Sequence, residues 1–242
     1  MAAAPSDAAA AAAAAAGAAT TASTTTSKVV APRLPAAAAA QTPAAAGAGA
    51  VPAGCTPLPP VARLSSRVIT VLGHNPGPFT LQGSNVYLVG TGRARVLVDT
   101  ADGRPAFLDA VAEVLSAEGA VVDTIVITHS HADHVGGIGG LVAAAAAAGA
   151  PPPIVAGAPP DTPYELPAGV TWRPLADGDT VAVEGATLTV VTTPGHTADS
   201  ISLLLAEEAA AFVGDCVLGQ GSCTFAHLRS YEASLRRLLA RT

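Results

Sequence analysis

The segment Thr128-His129-Ser130-His131-Ala132-Asp133-His134 packs four potential metal ligands into six residues. Imidazole nitrogens and a carboxylate at this density form a ligand set for zinc, and iron or manganese accept the same donors. Two histidines separated by one residue point the same way from an extended segment. Asp133 and His134 then turn toward a second position. The spacing therefore predicts two metal ions sharing one crevice. Four of the six histidines stand at 129, 131, 134 and 196. The competing reading is a histidine-rich loop that caps a helix, with Asp133 as the N-cap.

Two further segments repeat the arrangement. An apolar run through Thr189 ends at Pro194-Gly195-His196, and another through Ala211 ends at Gly214-Asp215. Each sets a ligand-capable side chain at a strand end. The elements that must position these groups follow from apolar period and turn residues. Strands are expected at 67–72 and 85–90, joined by a loop with Asn75, Pro76, Gly77 and Pro78 that can wall the crevice. Further strands are expected at 94–99, 121–128, 154–157, 180–183, 187–192, 201–205 and 210–214. A helix over 105–118 shares Phe107, Leu108, Val111 and Leu115 on one face and stops at Gly119. Helices are also expected at 135–148, interrupted by four glycines, and at 230–241, with Tyr231, Leu235, Leu238 and Leu239 apolar. Strands interspersed with helices give an α/β or α+β class.

Composition narrows the function. The chain has 242 residues, half of them hydrophobic but only 3% aromatic, with a net charge of −6. The large apolar share is inflated by alanine, so Val, Leu, Ile and Ala must build the core. No run of ~20 strongly apolar residues is present, so no membrane association is expected. Cys55, Cys216 and Cys223 are too few and scattered for a disulfide scaffold. Cys216 reads as a small buried residue. The acidic balance argues against duplex DNA as a partner. Residues 1–60 are Ala-, Thr- and Pro-rich and hold three charges, Asp7, Lys28 and Arg33. They form a low-complexity tail that buries too little to order itself, or an organellar transit peptide, mitochondrial or plastid; a cytosolic protein is the alternative. Residues 61–242 form the domain.

His129-x-His131-x-Asp133-His134, then Pro194-Gly195-His196-Thr197, then Gly214-Asp215, resembles the metallo-β-lactamase superfamily. Arg67-Val-Ile-Thr-Val-Leu-Gly, Asn75-Pro-Gly-Pro, Thr80-Leu-Gln-Gly, Asn85-x-Tyr87-Leu-Val-Gly, Gly185-Ala-Thr-Leu and Gly214-Asp215-Cys216-Val-Leu-Gly219 are similar to the lactamase-beta-like protein 2 group. This resemblance spans about residues 67–242. It implies an αββα sandwich with two zinc ions at the edge between two sheets. His129, His131 and His196 correspond to the first zinc, Asp133 and His134 to the second, and Asp215 to the bridging carboxylate. Asp133 also corresponds to a catalytic group that orients the nucleophile. The implied function is an endoribonuclease that cleaves single-stranded RNA with a zinc-bound hydroxide. The alternative is a thioesterase acting on a small or carrier-bound thioester, like glyoxalase II or the fungal relatives.

One departure bears on that expectation. The resemblance implies one more histidine, in a Pro-Gly-His-Gly stretch beyond the last helix, and residues 1–242 do not include it. The expectation is a C-terminally incomplete fold, a weaker second metal position, and a metal-binding chain without turnover as the third reading. His227 does not match that histidine. His74 reads as a surface-loop residue and Asp177-Gly178-Asp179 as a plain turn. Arg229, Arg236, Arg237 and Arg241 read as a solvated helix face.

Overall fold

The computed structural model describes residues 54–241. The tail assigned to 1–60 therefore lies outside the described residues except for its last seven positions. In chain order the strands and helices are β1 (Val61–Arg63), β2 (Val68–Leu72), β3 (Asn85–Val89), β4 (Ala94–Val98), α1 (Pro105–Glu118), β5 (Val121–Ile127), α2 (Ala132–Val135), α3 (Ile138–Ala147), β6 (Ile154–Gly157), β7 (Trp172–Pro174), β8 (Thr180–Val183), β9 (Ala186–Thr192), β10 (Ile201–Leu205), β11 (Ala210–Phe212) and α4 (Leu228–Leu239).

Two sheets result. The first runs β1-β2-β3-β4-β5-β6-β7, antiparallel through β4 and parallel from β4 to β7. The second, β11-β10-β9-β8, is antiparallel throughout. Side-chain alternation along the strands sorts the core into layers. Val96, Val98 and Val126 meet Leu188, Val190, Ile201 and Leu203 between the sheets. Leu97, Ile125 and Val155 face Phe107 and Val111 of α1 and Ile138 and Leu141 of α3 on the outer face of the first sheet. Val191 and Cys216 meet Leu238 of α4 on the outer face of the second. This is a mixed α/β fold, two sheets flanked by helices, ordered αββα as the family resemblance implies.

Several boundaries differ for stated reasons. The helix expected over 135–148 is α3, which starts at Ile138, and a separate short helix, α2, precedes it at Ala132–Val135. Gly136 and Gly137 separate the two where Gly137 N–H donates to Thr100 Oγ1, 3.2 Å away. β1 and β7 carry no strong apolar alternation in only three residues each, and the sequence pattern passes over both. On α1 the buried positions are Phe107, Val111 and Val114, with Leu108 and Leu115 half-covered. The strand expected over 210–214 stops at Phe212, and Gly214–Cys216 forms a single 3₁₀ turn.

Candidate metal centre

Four segments converge at one edge of the sandwich. β5 ends at Ile127, so Thr128 and His129 leave the first sheet there, and His131 to His134 enter α2. His131 occupies the N-cap position without a side-chain capping bond, and Asp133 lies in the first turn of α2. The helix-capping role for Asp133 is thereby excluded. From the second sheet, β9 delivers His196 and β11 delivers Asp215. The sheets are tied at this point by the Ile201 N–H, which donates to Thr128 O at 2.9 Å. Gly195 has φ +148°, and a Cβ there would stand 2.4 Å from Tyr231 Cα of α4. Only glycine lets the His196 turn sit so close beneath that helix.

His129, His131, His196 and Asp215 each offer a ligand atom, and these atoms all lie within 4.8 Å of one another. His129 Nε2 and His196 Nε2 each lie 3.1 Å from His131 Nδ1. The rings stand nearly perpendicular, at 74°, 86° and 85°. Nitrogens bound to one tetrahedral zinc, at bonds of about 2.0–2.1 Å, would be about 3.3 Å apart, so the donor set fits such an ion.

The hydrogen bonds behind the rings set the tautomers. His196 Nδ1–H donates to Thr224 O at 2.8 Å, which leaves Nε2 as a lone pair facing the cluster. Thr128 Oγ1 donates to Asp99 Oδ2 at 2.8 Å and accepts from His129 Nδ1 at 3.1 Å, which does the same for His129. Oriented imidazoles of this kind are what metal sites require. Burial first, then the neighbouring His134, pushes the His129 pKa down to about 2. Burial and His196 lower that of His131 as well. Both rings are neutral donors.

The second position is built around His134. Its Nδ1–H donates to Asp99 Oδ2 at 2.8 Å. Its Nε2 lies 3.5 Å from both Asp133 Oδ2 and Asp215 Oδ1. Asp215 Oδ2 lies 3.4 Å from His196 Nε2. Asp215 thus turns one oxygen to each cluster. Burial alone would lower the His134 pKa, but Asp99 and Asp215 reverse this and hold it well above its ordinary value. Burial likewise opposes ionisation of Asp215, but the His134 hydrogen bond and charge bring its pKa down to about 2. A site that favours a proton between His134 and Asp215 favours a cation for the same electrostatic reason.

All six residues expected as ligands are therefore brought together. His227 sits at the start of α4, exposed and outside the cluster. His74 is half-buried in the β2–β3 loop with φ 55°. Cys216 is buried as expected, and burial raises its thiol pKa to about 11. Asp177 and Gly178 form the expected turn, and Arg229, Arg236, Arg237 and Arg241 lie on an exposed face as expected. Beyond the turn, Asp177 accepts from Thr192 N–H at 2.9 Å and pairs with Arg237 and Arg241, and Arg236 pairs with Glu232. Asp99 was missed as a functional residue. Its signal was present, a carboxylate at the end of a buried strand like Asp215. A cleft of about 540 Å³ opens over His131, Asp133, His196 and Asp215. Pro78, Phe79 and Leu81 wall it on one side, as expected of the β2–β3 loop, and Leu218 on another.

Comparison with known proteins gives the same frame. The sequence profile of the metallo-β-lactamase superfamily matches residues 79–241. A beta-lactamase-like protein 2 homolog of Caenorhabditis elegans is 43% identical over 184 residues, 76% of this chain and 61% of its own. An atrochrysone carboxyl ACP thioesterase of Aspergillus novofumigatus is 39% identical over 183 residues, 75% of this chain and 53% of its own. The chain thus spans about half to three fifths of the length of these relatives. A solved metallo-β-lactamase from Pontibacter korlensis superposes with a TM-score of 0.58 at 26% identity, over 75% of this chain and 85% of that one. Sequence, layering and the converging histidines agree, and the chain belongs to the metallo-β-lactamase superfamily.

Proposed function

We propose that this chain is a zinc-dependent hydrolase of acyl thioesters. The observation that carries the substrate class is the cleft over the metal position. Pro78, Phe79, Leu81 and Leu218 give it an apolar stretch of wall, Gln220, Ser222 and Thr224 a polar one, and Asp133 and Asp215 lie at the metal position. The apolar stretch suits an acyl chain. The 39% identical thioesterase supports the same chemistry.

His129, His131, His196 and Asp215, and at the second position Asp133, His134 and Asp215, would hold zinc, which would supply a water of pKa near 7 and a Lewis acid for the scissile carbonyl. The protein's own groups do the rest. Asp133 faces the cleft and is partly exposed, so its carboxylate can orient a water and hold its proton. Asp99 and Thr224 hold His134 and His196 in the tautomers that keep their Nε2 atoms aimed inward.

A second reading is cleavage of single-stranded RNA. The motifs shared with the lactamase-beta-like protein 2 group favour it. So does Phe79, 93% exposed at the cleft, on which an unpaired base can stack. The test is a side-by-side assay of the zinc-loaded chain on an acyl N-acetylcysteamine thioester and on a single-stranded RNA oligomer. Thioester hydrolysis that falls at least 100-fold in His129→Ala is expected. RNA cleavage without thioester hydrolysis would establish the second reading. Neither activity at saturating zinc would leave a metal-binding chain without turnover.

A further inference from the structure

Asp133 differs from the other carboxylate at the centre. Asp215 is held between two imidazoles, whereas Asp133 projects from a four-residue helix into the open cleft. Something must fix its rotamer if Oδ2 is to stay at 3.5 Å from His134 Nε2. The side chain that does so comes from the β2–β3 loop, 49 positions earlier. Ser84 Oγ donates to Asp133 Oδ2 at 2.8 Å.

The direction of that bond is determined by its neighbour. Asn75 is 3% exposed. Its Oδ1 accepts from the Ser84 N–H at 2.9 Å, so its amide cannot be flipped without losing that bond. Its Nδ2 must then face Ser84 Oγ, and it donates there at 3.1 Å. A serine oxygen that accepts from Asn75 turns its own proton outward, toward Asp133. The loop around Asn75 is shaped for this amide. A Cβ on Gly73 would stand 2.6 Å from Asn75 Oδ1, and one on Gly83 3.1 Å from it. Thr80 Oγ1 also donates to the Asn75 carbonyl at 2.5 Å. The result is a chain of donors, Asn75 to Ser84 to Asp133, in which each member fixes the next.

We propose that Asn75 and Ser84 are positioning residues that hold Asp133 for the second metal position, and so set how tightly that position binds its ion relative to the first. Ser84 touches neither His129, His131 nor His196, so its effect is selective. This relay presupposes the metal reading given above, and metal binding rather than turnover reads it out.

The experiment titrates cobalt(II) into metal-stripped full-length protein, with equilibrium dialysis for stoichiometry and visible absorption for each site. Two equivalents are expected for the wild type. In Ser84→Ala the first should bind within twofold of wild type and the second about tenfold more weakly or worse, the usual cost of losing a group that orients a metal ligand. Ser84→Thr keeps the hydroxyl and should restore the second site and its absorption band. Wild-type affinity at both sites in Ser84→Ala would overturn the relay. So would equal weakening of both sites, which marks a general loosening of the fold, or a failure of Ser84→Thr to restore binding. A wild type that binds one equivalent would remove the second position and the relay with it. A wild type that binds none would overturn the metal reading itself.

Discussion

Asp99 accepts three hydrogen bonds at 2.8 Å, from Thr128 N–H, Thr128 Oγ1 and His134 Nδ1–H, and all of these groups are buried. It couples the end of β5 to both metal positions, through Thr128 to His129 and directly to His134. Asp99→Ala would leave buried donors without acceptors, at a cost of about 2–3 kcal/mol. It would also free two ligand rings, which typically lowers metal affinity 10–100-fold. Urea unfolding of the metal-free protein and zinc binding by dialysis measure the two effects separately. A variant that loses neither would show that the ligand rings are oriented without Asp99. The ligands themselves were legible in the sequence because His129, His131, Asp133 and His134 are rare types crowded into one segment. Asp99 and Ser84 were passed over: Asp99 stands at a strand end as Asp215 does, but the partners of the two lie 29 and 49 positions away, and nothing local marks either residue.

Among the elements, α4 shows how a surface contact serves the site. Its Leu238 reaches the outer core and its Ser234 Oγ donates to Pro194 O at 2.7 Å, two residues before His196. Arg237 and Arg241 of the same C-terminal segment pair with Asp177, which also accepts from Thr192 N–H at the end of β9. One carboxylate thus joins α4 to the strand that delivers a metal ligand. The Thr192 hydrogen bond, with the charges of Arg241 and Arg237, holds the Asp177 pKa below its ordinary 3.8. A carboxylate depressed on folding contributes stability that is present above its unfolded pKa and lost as pH falls through the folded value. Wild type should therefore lose this increment below about pH 4, and Asp177→Asn should lack it at neutral pH. Its size is about 1 kcal/mol or less, since the group is solvent-screened. Stability curves for the two proteins from pH 7 to pH 3 should converge; curves that stay parallel would assign Asp177 no electrostatic role. Sequence reading placed α4 within two residues but not its tether, because an Asp–Gly–Asp turn and an arginine-rich helix look the same whether they meet or not. The split of α2 from α3 escaped for a similar reason. Four glycines announce a weak helix, but the break is decided by Thr100 and Ala101 of a distant loop.

For the molecule as a whole, strand and helix patterns gave the α/β class and the family resemblance the layer order, but the meeting of the sheets carries the larger consequence. His129 and His131 leave the first sheet, and His196 and Asp215 leave the second. Direct hydrogen bonding between the sheets at this edge includes the Ile201–Thr128 bond. An ion held by all four residues would therefore clamp the two sheets together. Anything that binds only the folded state stabilises it by RT ln(1 + [L]/Kd), about 2.7 kcal/mol at a hundredfold excess over Kd. For a domain of this size that corresponds to a rise of about 5–10 °C in Tm. Removing metal with a chelator should lower the melting temperature by that amount, and added zinc should restore it. His129→Ala should melt at one temperature in both conditions, because its clamp is broken at the first sheet. A wild type whose melting is unchanged by a chelator, while dialysis shows the metal leaving, would mean that packing between the sheets alone holds the edge closed. The histidines would then be preorganised by the fold, and the ion would contribute chemistry without contributing stability.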